Sequence, residues 1–177
     1  EKSDYKIIID SIKSKSSVNH IIIPHEINSQ IIQELQYLIS KKSILYSQLV
    51  STKKINQNIL IIDQFGILKH LYKYSKLAYI GGGFNNGIHN ILEPAVHGNL
   101  ILHGPNYKNF AEADFFIKHD IAHAVKNKNE FEQKLYSCLK NTQSISTILN
   151  TSLSYFKTNK QNIQEIIQLI KSTKTIV

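Results

Sequence analysis

The run Leu77-Ala78-Tyr79-Ile80 has strand length and passes directly into Gly81-Gly82-Gly83. An apolar run this short, closed by glycines, predicts a buried strand whose chain turns sharply at its carboxyl end. Gly87 follows, and Asn90 then predicts the start of a short helix that ends near Gly98. Strand, glycine turn and helix start in this order constrain the chain toward an α/β fold.

The rest of the chain repeats that alternation. Residues 4–15 carry Tyr5, Ile8, Ile9 and Ile12 at helical spacing. Ile21-Ile22-Ile23 is short and β-branched, as expected of a strand covered on both faces. Asn28 predicts the cap of a helix to about residue 40, with Ile31, Ile32, Leu35, Leu38 and Ile39 inward. Further strands are predicted at residues 44–46, 59–62, 100–102 and 122–125. Residues 51–57 read as a loop, residues 66–74 and 109–118 as helices. From about residue 129 the pattern is helical, in two or three helices, the last over residues 162–171. The fold class is therefore α/β: a Rossmann-like parallel sheet with helices on both faces. Ligands of such sheets bind at the carboxyl ends of the strands, which selects the loops after Ile23, Ile62, Ile80 and Leu102.

Length fits one domain, residues 1–177. The chain begins at Glu1 and holds no Met, so it reads as a piece of a longer protein. No apolar run is long enough to span a bilayer. The single cysteine, Cys138, cannot form an internal disulfide and reads as a buried helical residue, which fits a reducing cytoplasm. An excess of 21 basic over 13 acidic side chains favours an anionic partner. The cations are Lys with no Arg, spread along the chain, which argues against nucleic acid. The histidines at 20, 70, 97, 103, 119 and 123 have no metal-ligand spacing, so no metal is expected.

The loop after Ile80 carries the most chemistry. Its glycines permit close approach of backbone to a ligand, and the following helix start suits a phosphate. The spacing is neither a dinucleotide fingerprint nor a P-loop. Asn90 and Glu93 also fit a capping box, so Glu93 is a cap, a ribose ligand, or both. His89 is either a turn residue or a donor to an anion.

The segment Ala78-Tyr79-Ile80-Gly81-Gly82-Gly83-Phe84, followed by Gly87-Ile88-His89-Asn90-Ile91-Leu92-Glu93-Pro94-Ala95, resembles the donor-site signature of 3-deoxy-D-manno-octulosonic acid (Kdo) transferases. Three further blocks do so in the same order: Ile23-Pro24-His25-Glu26-Ile27, Ile61-Ile62-Asp63-Gln64-Phe65-Gly66-Ile67-Leu68, and Gly104-Pro105-Asn106-Tyr107-Lys108-Asn109-Phe110 with Glu112-Ala113. The resemblance covers roughly residues 20 to 115 and has a Bacteroidetes flavour. It implies the C-terminal, donor-binding domain of a GT-B glycosyltransferase that binds CMP-Kdo and passes Kdo to a lipid A precursor in lipopolysaccharide biosynthesis. It also implies a reaction that needs no metal or cofactor.

The resemblance also implies residue roles. His25 contacts phosphate or the Kdo carboxylate, flanked by Pro24 and Glu26. Phe65 and Gly66 face the cytosine, Gly82, Gly83 and Phe84 line the phosphate side with Gly87 and His89, Asn90 reaches phosphate or the sugar acid, and Glu93 the ribose. Many members carry Pro-Arg-His where this chain has Pro24-His25-Glu26, and Glu where it has Ile67. Gly104-Pro105-Asn106 shapes the far wall, and Lys108 reads as a solvated lysine. The general base belongs to an N-terminal acceptor domain that this chain lacks, so the fragment alone is expected to be inactive. The implied location is the cytoplasmic side of the bacterial inner membrane, with an anionic membrane surface as a further candidate partner. Two other readings remain: a GT-B enzyme using a UDP-sugar, and a basic module for anions or nucleic acid.

Overall fold

The computed structural model describes residues 2–14, 18–39, 43–49, 57–140 and 145–173. Along the chain these form α1 (Lys2–Ser14), β1 (His20–Ile22), α2 (Ser29–Ile39), β2 (Ser43–Leu45), α3 (Tyr46–Leu49) and β3 (Ile59–Ile61). Then come α4 (Leu68–Leu71), a 3-10 turn (Tyr72–Tyr74), β4 (Leu77–Ile80), α5 (Leu92–Val96) and β5 (Leu100–His103). The chain continues with α6 (Ala111–Lys118), β6 (Ala122–Ala124), α7 (Lys128–Lys140) and α8 (Ile145–Thr173).

Every strand pairing is parallel, as the sequence alternation requires, since parallel neighbours need a crossover between them. Among the described residues the strands form two three-stranded sheets, ordered β1-β3-β2 and β4-β5-β6, rather than one continuous hydrogen-bonded sheet. Ile59, Ile61, Leu100, Ile101 and Leu102 are nearly inaccessible, as expected, but Ile21 is 42% exposed, so the edge strand β1 is not covered on both faces as its sequence predicts.

Each sheet has its own core. Around β4–β6, Ile91, Ala95, Phe116, Ile121, Leu135 and Ile148 close over the strands from α5 to α8. Around β1 and β3, Ile9 and Ile12 of α1 meet Ile32, Leu35 and Ile39 of α2. Ile8 of α1 packs against both, so α1 joins the two halves. Cys138 is buried in α7, and that burial pushes its thiol up.

Several boundaries differ from the sequence expectation. Asn28 caps α2 as expected, its Oδ1 accepting from Ile31 N at 2.9 Å. The helix expected from Gly66 to Tyr74 is one α-turn followed by the 3-10 turn. The helix expected to start at Asn90 is only Leu92–Val96, and no side chain caps it at Ile91. Asn90 Oδ1 accepts from Leu92 N at 2.9 Å, a bond two residues on that forms an Asx-type turn in place of a capping box. Pro94 stands three residues into this helix, and the positive-φ Gly98 closes the turn behind it. The helix expected from residue 109 starts at Ala111, and the separate last helix over 162–171 is the distal part of the 29-residue α8. Most of the expected loop at 51–57 lies outside the described residues.

Phe116 is fully buried between β6 and α8, with Tyr155 against its ring at 5.3 Å. Phe116→Ala is expected to cost about 3–5 kcal/mol in urea unfolding, because the neighbouring helices cannot fill the space.

Candidate functional site

The carboxyl end of β4 is built by glycines, each for a different physical reason. Gly82 has φ of +89°, and a Cβ there would lie 2.4 Å from the Gly87 carbonyl oxygen. Its own carbonyl accepts from Asn85 N at 2.8 Å and Gly87 N at 3.3 Å, which closes the turn. Gly83 lies backbone-to-backbone on Gly104, the first residue after β5: a Cβ on Gly83 would meet Gly104 N at 2.7 Å, and one on Gly104 would meet the Gly83 carbonyl carbon at 2.4 Å. Asn106 fastens the two loops, its N–H donating to Gly83 O at 2.9 Å and its Nδ2 to Asn85 O at 2.7 Å. Gly87, with φ of +134°, lies under the Phe110 ring.

His89 N donates to Gly81 O at 3.0 Å, and the imidazole lies against the Cβ-less face of Gly82. His25, exposed after β1, stacks on that imidazole with ring centroids 4.5 Å apart and planes within 8°. Strands β1 and β4 are edge strands of their respective sheets, so this contact joins the two sheets at their carboxyl ends. That is the crevice where open α/β sheets take ligands.

The other expected residues are placed as follows. Pro24 is buried, Glu26 exposed, and Phe84 half-buried against the β4–β6 core. Phe65 is 77% exposed after β3, an unusual position for a phenyl ring. Gly66 beside it has φ of +82° with open space around it, so backbone conformation rather than crowding requires glycine. Asn90 and Glu93 are both exposed. The Glu93 charge lies near Tyr72, whose hydroxyl is pushed up to about 12, chiefly by burial and then by that carboxylate. Lys108 is exposed. The structure thus joins His25, His89 and the glycine turn by direct contact.

Asp4 is the residue that sequence reasoning missed. It is 2% exposed, and it accepts from Tyr79 Oη at 2.7 Å and from Gly82 N at 3.2 Å. Burial, then the bond to Asp4, holds the Tyr79 hydroxyl far above its usual range. The available signal was Asp4 sharing one face of α1 with Ile8 and Ile12 at four-residue steps. Asp63, just past β3, accepts from Ser47 N at 3.0 Å and Ser47 Oγ at 2.5 Å, which ties the start of α3 to the end of β3.

His103, at the end of β5, is fully buried with its Nδ1 2.8 Å from Gly104 O. Burial lowers its pKa, and likewise that of His123 on β6. Among the described residues no group of His, Cys, Asp and Glu could hold a metal ion, and no helix is long and apolar enough to cross a membrane. A depression lined by Ala124, Glu130, Gln133, Lys134 and Ser137 runs along α7 and includes none of the residues above.

The fold is Rossmann-like, consistent with the C-terminal domain of GT-B glycosyltransferases. Over 85% of this chain and 79% of the other, it superposes with a TM-score of 0.69 and 21% identity on the C-terminal CMP-Kdo binding domain of WaaA from Acinetobacter baumannii. No family model matches the chain. In sequence it is related to 3-deoxy-D-manno-octulosonic acid transferases: 33% identical over 130 residues to that of Aquifex aeolicus (72% of this chain, 35% of that protein). Against the enzyme of Rickettsia prowazekii it is 31% identical over 121 residues, 66% of this chain and 26% of that protein. A bifunctional glycosyltransferase/methyltransferase of Fusobacterium nucleatum is 27% identical over 161 residues, 88% of this chain and 24% of that protein. The chain therefore spans about a quarter to a third of the length of these curated relatives. These relatives lend no support to a Bacteroidetes lineage.

Two measurements check this geometry. Gly83→Ala is expected to lose about 2 kcal/mol or more, because the new methyl meets backbone rather than a side chain that can move. A neutral buried His binds fewer protons than in the unfolded chain, so its contribution is complete above the ordinary value of 6.5 and is lost as pH falls through the lowered native value. Urea midpoints should therefore fall as pH drops below 6.5, and His103→Gln should flatten part of that slope while leaving the His123 share.

Proposed function

We propose that this chain is the donor-binding half of a glycosyltransferase that transfers Kdo from CMP-Kdo to a lipid A precursor in lipopolysaccharide biosynthesis. The observation that carries the reading is the stacking of His25 on His89 beside the glycine turn, at the meeting edge of two parallel sheets. The names of the sequence relatives and of the superposable domain supply the substrate class.

Transfer breaks the bond between the anomeric carbon of Kdo and the CMP phosphate, and negative charge grows on the departing phosphate. In a metal-free site that charge is met by N–H groups and cationic side chains. Helix α5 has five residues and little macrodipole, so the imidazoles of His25 and His89 are assigned most of this task. In this reading the exposed Phe65 ring and the backbone of Gly66 receive the cytosine, Gly82, Gly83, Phe84 and Gly87 shape the phosphate wall, Asn90 reaches phosphate or the sugar acid, and Glu93 takes the ribose hydroxyls. Pro24 and Glu26 frame His25. No carboxylate of this chain is assigned the general base, which is left to an acceptor domain on the same protein. Acceptor binding places the whole enzyme at the cytoplasmic face of the inner membrane, where the excess of lysine meets anionic headgroups.

Calorimetric titration with CMP and UMP tests the reading. CMP is expected to bind about tenfold or more tightly than UMP. Loss of one imidazole contact in His25→Ala or His89→Ala should weaken CMP about tenfold. Glu93→Ala should weaken CMP with an unchanged melting temperature, because the exposed carboxylate caps nothing. Equal binding of both nucleotides, or of neither, removes the Kdo assignment.

A further inference from the structure

A carboxylate on the inner face of a helix is costly to bury unless donors meet it. Asp4 occupies that position on α1 and finds two donors on another part of the chain, Tyr79 Oη on β4 and Gly82 N in the glycine turn. The Tyr79 ring stands edge-on to Phe131 of α7, with centroids 5.6 Å apart. Helix α1 is itself held to α7 by Ser11 Oγ donating to Glu132 at 2.7 Å and by Lys128 bridging Asp10 at 3.0 Å. One carboxylate thus ties the first helix to the strand end from which the candidate site is built.

The consequence lies in where the turn faces. Gly82 adopts a left-handed conformation with its N–H directed at Asp4 and its carbonyl directed at the N–H groups of Asn85 and Gly87. An added Cβ on Gly81 would have the Asp4 carboxylate at 3.5 Å and the His89 ring at 3.8 Å, so both groups flank the same glycine. His89 receives its place from Gly81 O and the bare face of Gly82, and His25 stacks on His89. The Gly82 N–H is committed to Asp4, so that donor serves the turn itself, and the turn in its place supports the imidazole of His89.

We propose that Asp4 is a positioning residue for the candidate nucleotide-sugar site: from α1 its carboxylate fixes the turn at residues 81–83 and through it the stance of His89 against His25. The proposal rests on the donor-site reading above. Asp4 touches no ligand in this scheme, and its effect is geometric. Asp4→Asn therefore separates shape from charge, since the amide oxygen still accepts from Gly82 N while its nitrogen donates to Tyr79 Oη. Asp4→Ala removes both bonds, and Tyr79→Phe removes one while keeping the ring on Phe131.

The test is CMP calorimetry on this chain and the three variants, below each variant's melting temperature, together with amide exchange of Gly82 compared with Ile101 and Leu102. Asp4→Ala is expected to raise the CMP Kd about tenfold and Asp4→Asn less than about threefold, with Tyr79→Phe between them. Exchange at the turn should quicken selectively in Asp4→Ala and be restored in Asp4→Asn. Wild-type CMP affinity in folded Asp4→Ala overturns the proposal, as does an Asn variant as impaired as the Ala variant. If the unaltered chain binds no CMP, the donor reading fails alone. Selective exchange at the turn then still upholds the role of Asp4 in fixing it, and a uniform rise across β5 overturns that role.

Discussion

Gly83 and Gly104 meet backbone to backbone, at a separation that no side chain on either residue would fit. This contact sets the turn after β4 directly on the turn after β5, and Asn106 then bonds across it to Gly83 and Asn85. Here the loops share one wall, which leaves the opposite side of the β4 turn open for His89 and, beyond it, His25. His103 is buried next to the same contact, with Nδ1 toward Gly104 O, and burial lowers its pKa.

Charge is distributed unevenly about this wall. The Asp4 carboxylate lies on the inner side of the glycine turn, and the imidazoles of His25 and His89 lie where the turn meets β1. A low-dielectric interior strengthens both the bonds that Asp4 makes and the penalty for breaking them. Helix α1, which contributes Asp4, also packs into the cores of both sheets through Ile8, so disturbance of either half reaches the turn through one helix.

Much was legible in the sequence because it depends on local rules. Period and length placed the strands, since apolar runs of three or four residues between helical segments are too short for buried helices and suit a parallel sheet. Asn28 read correctly as a helix cap because its bond to Ile31 N is purely local. Asn90 did not, because the same side chain forms an Asx-type turn one step earlier and the helix behind it is only Leu92–Val96. Propensity cannot distinguish these two local bonds; the packing of Ile91 and Ala95 into the core decides between them.

The sequence by itself determined the alternation of strands and helices, the parallel sense, and the glycine turn as the centre of interest. Each follows from the spacing of apolar residues or from the backbone freedom of glycine. Only the tertiary structure decided that the strands divide into two sheets, that His25 and His89 touch across them, and that Asp4 reaches Gly82 from 78 residues away. These are contacts between distant segments, set by how two cores pack on α1. The same limit explains the glycines. Their presence was visible in the sequence, but whether each one serves a ligand, a left-handed turn or a neighbouring backbone depends on what faces it in space.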